Sequence, residues 1–225
     1  MNTKLIIHIV ISLISLSGLI VYYYALLLGY KKHNSQLKKQ SKIPEKLYFM
    51  STYPALIWYV LPFIEQPRMH GIYDWLNGEF VFFNVLYIPV SFLLFVYFFG
   101  IWGKKSVSQN IEATKSAFYA PSKLLTEGIY ARVQHPMIIG DILGHFSLVL
   151  LTGGIYTCIL FPIYVFIDLF MIKIQVKYSL EPYYKSELIV YRKKTPVLLD
   201  QKLLFIVLFM ALLVICNFLN YTKII

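Results

Sequence analysis

His135 and Pro136 stand where a charged loop gives way to an apolar run, and the residue types there suit a polar molecule held beside a lipid-soluble one. Proline favours the first helical position, where its missing N–H costs nothing and its fixed φ matches the helix. His135 is therefore expected at the N-cap. The following backbone N–H groups, those of Met137, Ile138 and Ile139, then lack intrahelical partners and can receive a carboxylate or phosphate. Asp141 and His145 lie further along and share a face at i and i+4. Ionisable groups inside an apolar segment are costly, so this pair is expected either to line a polar pocket beneath the loop or to bond neighbouring helices. Gly140 removes a side chain near the helix start and permits close approach of a ligand or, more commonly, of another helix. Asp168 sits in a later apolar run with no partner identifiable from sequence, and His8 in the first run is expected to hydrogen-bond a neighbouring helix. The sequence carries no Gly-rich phosphate loop, nucleophile elbow or metal-binding His pair, so hydrolysis, phosphoryl transfer and a metal site have no support. Cys158 and Cys216 fall inside apolar runs and read as small buried apolar residues.

The elements that must position these groups are membrane helices. Of the 225 residues, 58% are hydrophobic and only 14% charged, against about 25% charged in ordinary soluble domains. Six apolar runs approach the roughly 20 residues that cross a bilayer: 5–30, 47–64, 80–102, 137–151, 155–176 and 203–221, the fourth being the shortest. The fold class is all-α, a polytopic membrane protein of about six helices. Basic residues give an independent test, because short cytoplasmic loops are enriched in them. The stretch 31–47 holds six, 103–136 holds five and 173–202 holds seven, which together are 18 of the 21 in the chain. Only Lys4, Arg68 and Lys223 fall on the other side, so the N-terminus is expected outside and the His135 loop in the cytoplasm. The net charge of +10 belongs to loops beside membrane helices, where anionic head groups attract it; nucleic acid is not an expected partner. The first run, at 26 residues, exceeds a signal-peptide core and no small-residue cleavage site follows, so an anchor is expected.

No internal repeat or long linker divides the chain. Gly153 and Gly154 form a tight turn that makes the fourth and fifth helices an antiparallel hairpin. The segment 177–196 has Pro182 placed for a first turn, Tyr184, Leu188 and Tyr191 on one face, and Pro196 as a stop. It reads either as an interfacial helix closing the membrane mouth or as a solvated connector with a few aromatic anchors. Three parts result: helices one to three over 1–99, a core with loop, hairpin and interfacial helix over 100–197, and an additional C-terminal helix over 198–225.

The stretch from Leu125 to Gly140, Leu-Thr-Glu-Gly-Ile-Tyr-Ala-Arg-Val-Gln-His-Pro-Met-Ile-Ile-Gly, resembles the signature of the isoprenylcysteine carboxyl methyltransferases and their phospholipid-methylating relatives. Gly128, Ile129, Tyr130, His135, Pro136 and Gly140 fit, as do the hairpin and the run from Tyr191 to Pro196. The resemblance covers roughly residues 100 to 197. It implies an integral membrane enzyme that uses S-adenosylmethionine, with Ser122, Lys123, Leu124, Leu125, Tyr130, His135, Pro136, Met137 and Ile138 contacting the cofactor and Gly140 beside them. The expected substrate is a lipid-like or prenylcysteine-like acceptor, a lipophilic or lipidated molecule drawn from the membrane.

The chain also departs from that pattern. Gln134 stands where the family has Arg, and Ile138 where it has an aromatic residue. An Arg-x-x-x-Glu that the family carries at the end of the hairpin falls, counted without gaps, on Ile172 and Val176; Lys173, Lys177 or Glu181 would substitute only with a shift in register. Methyl transfer tolerates such loss, because the sulfonium carries its own leaving group and the protein mainly aligns donor with acceptor and excludes water. Two alternatives remain. A sterol- or steroid-type reductase using NADPH shares a His-Pro-x-x-x-Gly-Asp element, with Asp141 as its Asp, although Lys177-Tyr178-Ser179 only partly matches the downstream pattern. A noncatalytic relative would keep the scaffold after losing the pair at 172 and 176.

Overall fold

The computed structural model describes residues 3–34, 43–114 and 123–222, and every described element is helical. Helix α1 spans Thr3–Asn34, α2 Ile43–Leu56, α3 Ile72–Leu76, α4 Asn84–Phe95, α5 Gly103–Thr114, α6 Pro136–Thr152, α7 Ile155–Gln175, α8 Glu181–Lys194 and α9 Gln201–Tyr221. All six apolar runs are helical, and four helical stretches are long and apolar enough to cross a membrane: Thr3–Lys31, Asn84–Ala113, Ile155–Lys194 and Gln201–Tyr221. α6 is a shorter apolar helix. The second run leaves α-geometry after Leu56 and continues as two 3₁₀ turns, Ile57–Tyr59 and Leu61–Phe63.

Two helices run further than their apolar sequence. α4 passes through a π-helical turn, Val96–Trp102, into the polar α5, and α7 passes through a second, Val176–Leu180, into α8. The stretch 103–114, expected in a loop, is thus a helical extension, and the segment beginning at 177 continues from α7 without a break. A π-turn keeps the backbone hydrogen-bonded while admitting an extra residue.

The interior is polar in places where the exterior is not. Ser12, Ser15, Ser147, Thr157 and Asn217 are buried, whereas Leu13, Phe166, Phe205, Leu208 and Leu212 are exposed. That inversion is what a helix bundle in lipid needs, since polar groups must be satisfied within it. Tyr87, Phe98, Leu143 and Met210 join α4, the π-turn after it, α6 and α9 in one core, and Leu19, Trp58, Leu61 and Tyr164 join α1, α7 and the two 3₁₀ turns that follow α2 in another.

The hairpin turn between α6 and α7 is held by the segment before α3. Gly153 caps α6 at φ +65°, the left-handed region that glycine enters freely. Its carbonyl accepts from Met69 N–H at 2.8 Å, and Ile155 N–H donates to Pro67 at 3.0 Å. The Arg68 guanidinium donates to the carbonyls of Pro62, Thr152 and Ile64 and lies 3.7 Å above the Tyr73 ring. Lys4 pairs with Glu65 at this same end. The opposite end of the bundle carries α5, the loop before α6, and α8.

Candidate functional site

The loop 123–135 is tied down from three sides. Trp102 Nε1 donates to the Pro136 carbonyl at 2.7 Å. Gln134 donates to the Thr195 carbonyl through its side chain at 2.6 Å and to the Pro196 carbonyl through its backbone at 3.0 Å, so the residue standing in place of the family's Arg anchors the end of α8. Arg132 pairs with Asp200 at 2.6 Å, and Asp200 also caps α9 by accepting from Leu203 N–H at 2.7 Å. Partial burial opposes ionisation of Asp200, but the Leu203 N–H and the Arg132 guanidinium outweigh it and hold the carboxyl below its ordinary value. α8 closes over the loop as expected of an interfacial helix: Tyr191 donates its hydroxyl to the Tyr130 carbonyl at 2.6 Å. Tyr191→Phe should cost about 1–2 kcal/mol, the loss of one buried hydrogen bond with its acceptor left dry. Amide exchange over 123–135 should quicken, and unchanged protection there would show the bond to be idle.

His135 is the N-cap of α6. It is only 5% exposed, and burial pushes its imidazole down to about 4, against a weaker opposing pull from Gln175. At neutral pH the ring is therefore uncharged. Nδ1 lies 3.2 Å from the Gln175 side-chain oxygen, which can only accept. Nδ1 thus carries the proton, and Nε2 presents a lone pair that meets no other described residue. Among the described residues the N–H groups of Met137 and Ile138 have no partner, whereas that of Ile139 donates to the His135 carbonyl at 3.2 Å. The expected three-donor cradle is a two-donor one.

These residues line a small niche of about 70 Å³ bounded by Leu124, Leu125, Tyr130, His135, Pro136 and Tyr191, with Gln134 and Ser179 also on its wall. A larger cavity of about 580 Å³ lies beside it, walled by α1, α2, α5, α6 and α7. Tyr30, Asn110, Met137, Ile138 and Gln175 line both. The two spaces lie side by side with these five residues as their common wall.

Not every sequence expectation falls in it. Lys123 is exposed and lines neither space, while Ser122 lies outside the described residues. Gly140 touches the large cavity, yet its bareness answers to packing: a Cβ there would sit 2.9 Å from Trp102 Cδ1. Asp141 lines the large cavity as expected; His145 does not. His145 is 1% exposed and stacks on Trp58 at 4.0 Å, with Tyr59 and Phe161 around it, because the α6 face turns into the aromatic core one turn beyond Asp141. Asp168 gains a partner that sequence did not reveal, the Tyr23 hydroxyl. His8 was expected to bond a neighbouring helix, but its Nδ1 pairs with Ser12 on its own helix.

Ile172 and Val176 pack with Leu188 and Tyr191 in an apolar cluster and themselves line neither space. Lys173, Lys177 and Glu181 line an outer groove beside them and cannot replace an Arg-x-x-x-Glu inside the site. Gln175 is the α7 residue that reaches His135. A signal for it existed: Gln175 follows Asp168 by seven residues, two helical turns, and so shares its face. Asn110, Tyr30 and Ser179 come from elements whose packing no local pattern announces. No family model, curated protein or solved structure matches this chain.

Proposed function

We propose that this chain is an integral membrane methyltransferase that takes S-adenosylmethionine at the His135 niche and a lipophilic acceptor in the adjoining cavity. The observation that carries this reading is the shared wall of Tyr30, Asn110, Met137, Ile138 and Gln175, which sets the His135 niche directly beside an apolar cavity. The donor set fits the cofactor. Free N–H groups of Met137 and Ile138 suit its carboxylate, the neutral His135 Nε2 suits a hydroxyl or amino donor, and Leu124 and Leu125 suit a flat apolar ring. About 70 Å³ holds only part of such a molecule, so the reading requires the wall shared with the larger cavity to open when the cofactor binds.

When bound, the cofactor supplies an activated methyl group on a sulfonium. The chain's own part is to orient and to dry the site. Gln175 fixes the His135 tautomer, the Tyr191 bond closes α8 over the loop, and burial keeps the Tyr130 hydroxyl protonated by raising its pKa. Alignment and exclusion of water are the two contributions that methyl transfer most needs.

The reading includes six spans with the N-terminus outside and the niche facing the cytoplasm. It is supported by 18 of 21 basic residues falling in the segments of one end, as short cytoplasmic loops require. Titration of S-adenosylmethionine into the purified, detergent-solubilised chain should give saturable binding, weakened about tenfold or more by His135→Ala or Tyr130→Ala, the scale of one hydrogen bond to a charged or buried group. Absence of binding at millimolar cofactor in folded protein defeats the proposal. Thermal protection by NADPH but not by S-adenosylmethionine would transfer the site to the reductase reading, and binding without turnover on lipid, thiol or prenylcysteine acceptors to the noncatalytic one.

A further inference from the structure

The basic side chains where α7 meets α8 belong neither to the His135 niche nor to the large cavity. Lys173 on α7, Lys177 in the π-turn after it and Arg192 on α8 line one outer groove of about 560 Å³, with Leu169, Val197 and Leu198 beside them. All three cations are exposed. Arg192 lies 3.6 Å from Glu181, which lines the same groove. Lys177 stands over the Tyr178 ring at 5.4 Å, and neither it nor Lys173 pairs with a carboxylate among the described residues. The groove therefore sets three positive charges against one negative.

The place of these cations along α7 narrows what would answer them. Ile159, Ile163, Phe166 and Phe170 are exposed and recur at helical spacing on one face. The same spacing carries on from Phe170 to Lys173 and Lys177, so an exposed apolar stripe runs directly into the cations. Such a stripe on a helix long enough to cross a membrane faces acyl chains, and Lys173 then stands where chains give way to head groups. A lone lysine at that level merely snorkels to the water. Here cations from both sides of the π-turn converge on a groove whose floor is apolar, with Ile172 and Val176 buried in it. A soluble anion would leave that floor uncovered, and a zwitterionic head group brings no net charge. Arg192 offers a planar fork for phosphate oxygens, and the two lysines add point charges.

We infer that this groove is a binding site for an anionic phospholipid of the bilayer, its phosphate at Lys173, Lys177 and Arg192 and its acyl chains along Phe170 and Phe166. The phosphate competes with Glu181 for Arg192. Held by all three cations, it joins α7 to α8 across the π-turn. The site requires the α7 stripe to face lipid but makes no use of the niche, so it stands whether or not S-adenosylmethionine binds there.

The test is binding of radiolabelled phosphatidylglycerol to the full chain in nonionic detergent without cofactor. Saturable binding, displaced by unlabelled phosphatidylglycerol but not by phosphatidylcholine, is the expected result. Glycerol 3-phosphate offers the phosphate without the chains and should not displace it; equal displacement would make the groove a site for a soluble phosphate and overturn the inference. Lys173→Gln with Lys177→Gln should weaken binding about tenfold or more, the scale of two basic residues at a lipid surface. Lys185→Gln with Lys193→Gln removes the same charge from α8 outside the groove and should bind as the wild type does. Glu181→Gln, which frees Arg192, should tighten binding severalfold. Every altered side chain is exposed, so the variants are expected to purify with the unfolding midpoint of the wild type. Nonsaturable binding, equal displacement by phosphatidylcholine, equal weakening by the two lysine pairs, or a Glu181→Gln variant that binds no tighter overturns the inference.

Discussion

Gly18→Ala should lower the stability of the detergent-solubilised protein by about 2–3 kcal/mol, at the upper end of what overpacking costs. A Cβ at Gly18 would lie 2.5 Å from Pro54 Cβ, 2.7 Å from Ala55 N and 2.8 Å from Pro54 C. Two of those atoms are backbone, so no side-chain rotation relieves the clash. α1 and α2 must move apart, and small residues at a helix contact are what let membrane helices approach so closely. The cost extends to the site, because these helices supply Tyr22, Tyr23, Tyr30 and Tyr48 to the cavity wall. Thermal unfolding of the variant, with S-adenosylmethionine binding measured on the same preparation, checks both effects. Gly100→Ala is the control: a Cβ there meets nothing within 4 Å, and its unfolding midpoint should stay put. Equal midpoints for the two variants would contradict the close approach of α1 and α2.

Acid should destabilise the protein through His135 by about 3 kcal/mol, given about 1.4 kcal/mol per pKa unit. The sign follows from its folded-state value of about 4 against an ordinary 6.5. As pH falls below about 6.5 the unfolded chain takes up a proton that the folded chain refuses. Stability is therefore complete above that pH, is lost progressively toward pH 4, and levels off below it. The cause is chiefly burial of the ring, with the nearby Arg192 charge adding to it and Gln175 opposing. His135→Gln, which cannot titrate, should flatten this part of the curve. Other groups titrate in the same range, so the informative quantity is the difference between the two proteins across a pH series. Parallel curves would show that the imidazole is not held neutral.

The helical segments were legible because an apolar run in an otherwise charged sequence has few other readings, and the 153–154 turn because two adjacent glycines left no length for anything else. The ends of the helices were not. At 103–114 and 177–181 the composition turns polar while the backbone continues, and hydropathy reports the surroundings of a helix rather than its hydrogen bonds. The same division runs through the site. Leu124, Leu125, Tyr130, His135, Pro136, Met137 and Ile138 are close in sequence, so their shared niche needed little tertiary information. Tyr30, Asn110 and Gln175 reach it from three other helices, and which helices meet is decided by packing that a single sequence does not display. His145 shows the limit of face arithmetic. Four residues after Asp141 it lies on the same side of α6, yet at that depth the neighbour is the Trp58 ring rather than open space.

The π-turn at Val176–Leu180 has a meaning for how this chain can be compared with others. One extra residue in a helical turn rotates everything beyond it by about 100° relative to an uninterrupted α-helix, and the break at Tyr184 bends the axis as well. Tyr191 faces back toward Tyr130 as the product of both. Counting across such a turn as though it were an ordinary helix assigns residues to the wrong face. Gln175, just before the turn, points at His135, and Tyr191, well beyond it, points at Tyr130. The turn is where an insertion can be stored without disturbing either flank, so correspondence at this site has to be drawn by direction in space and not by distance along the chain.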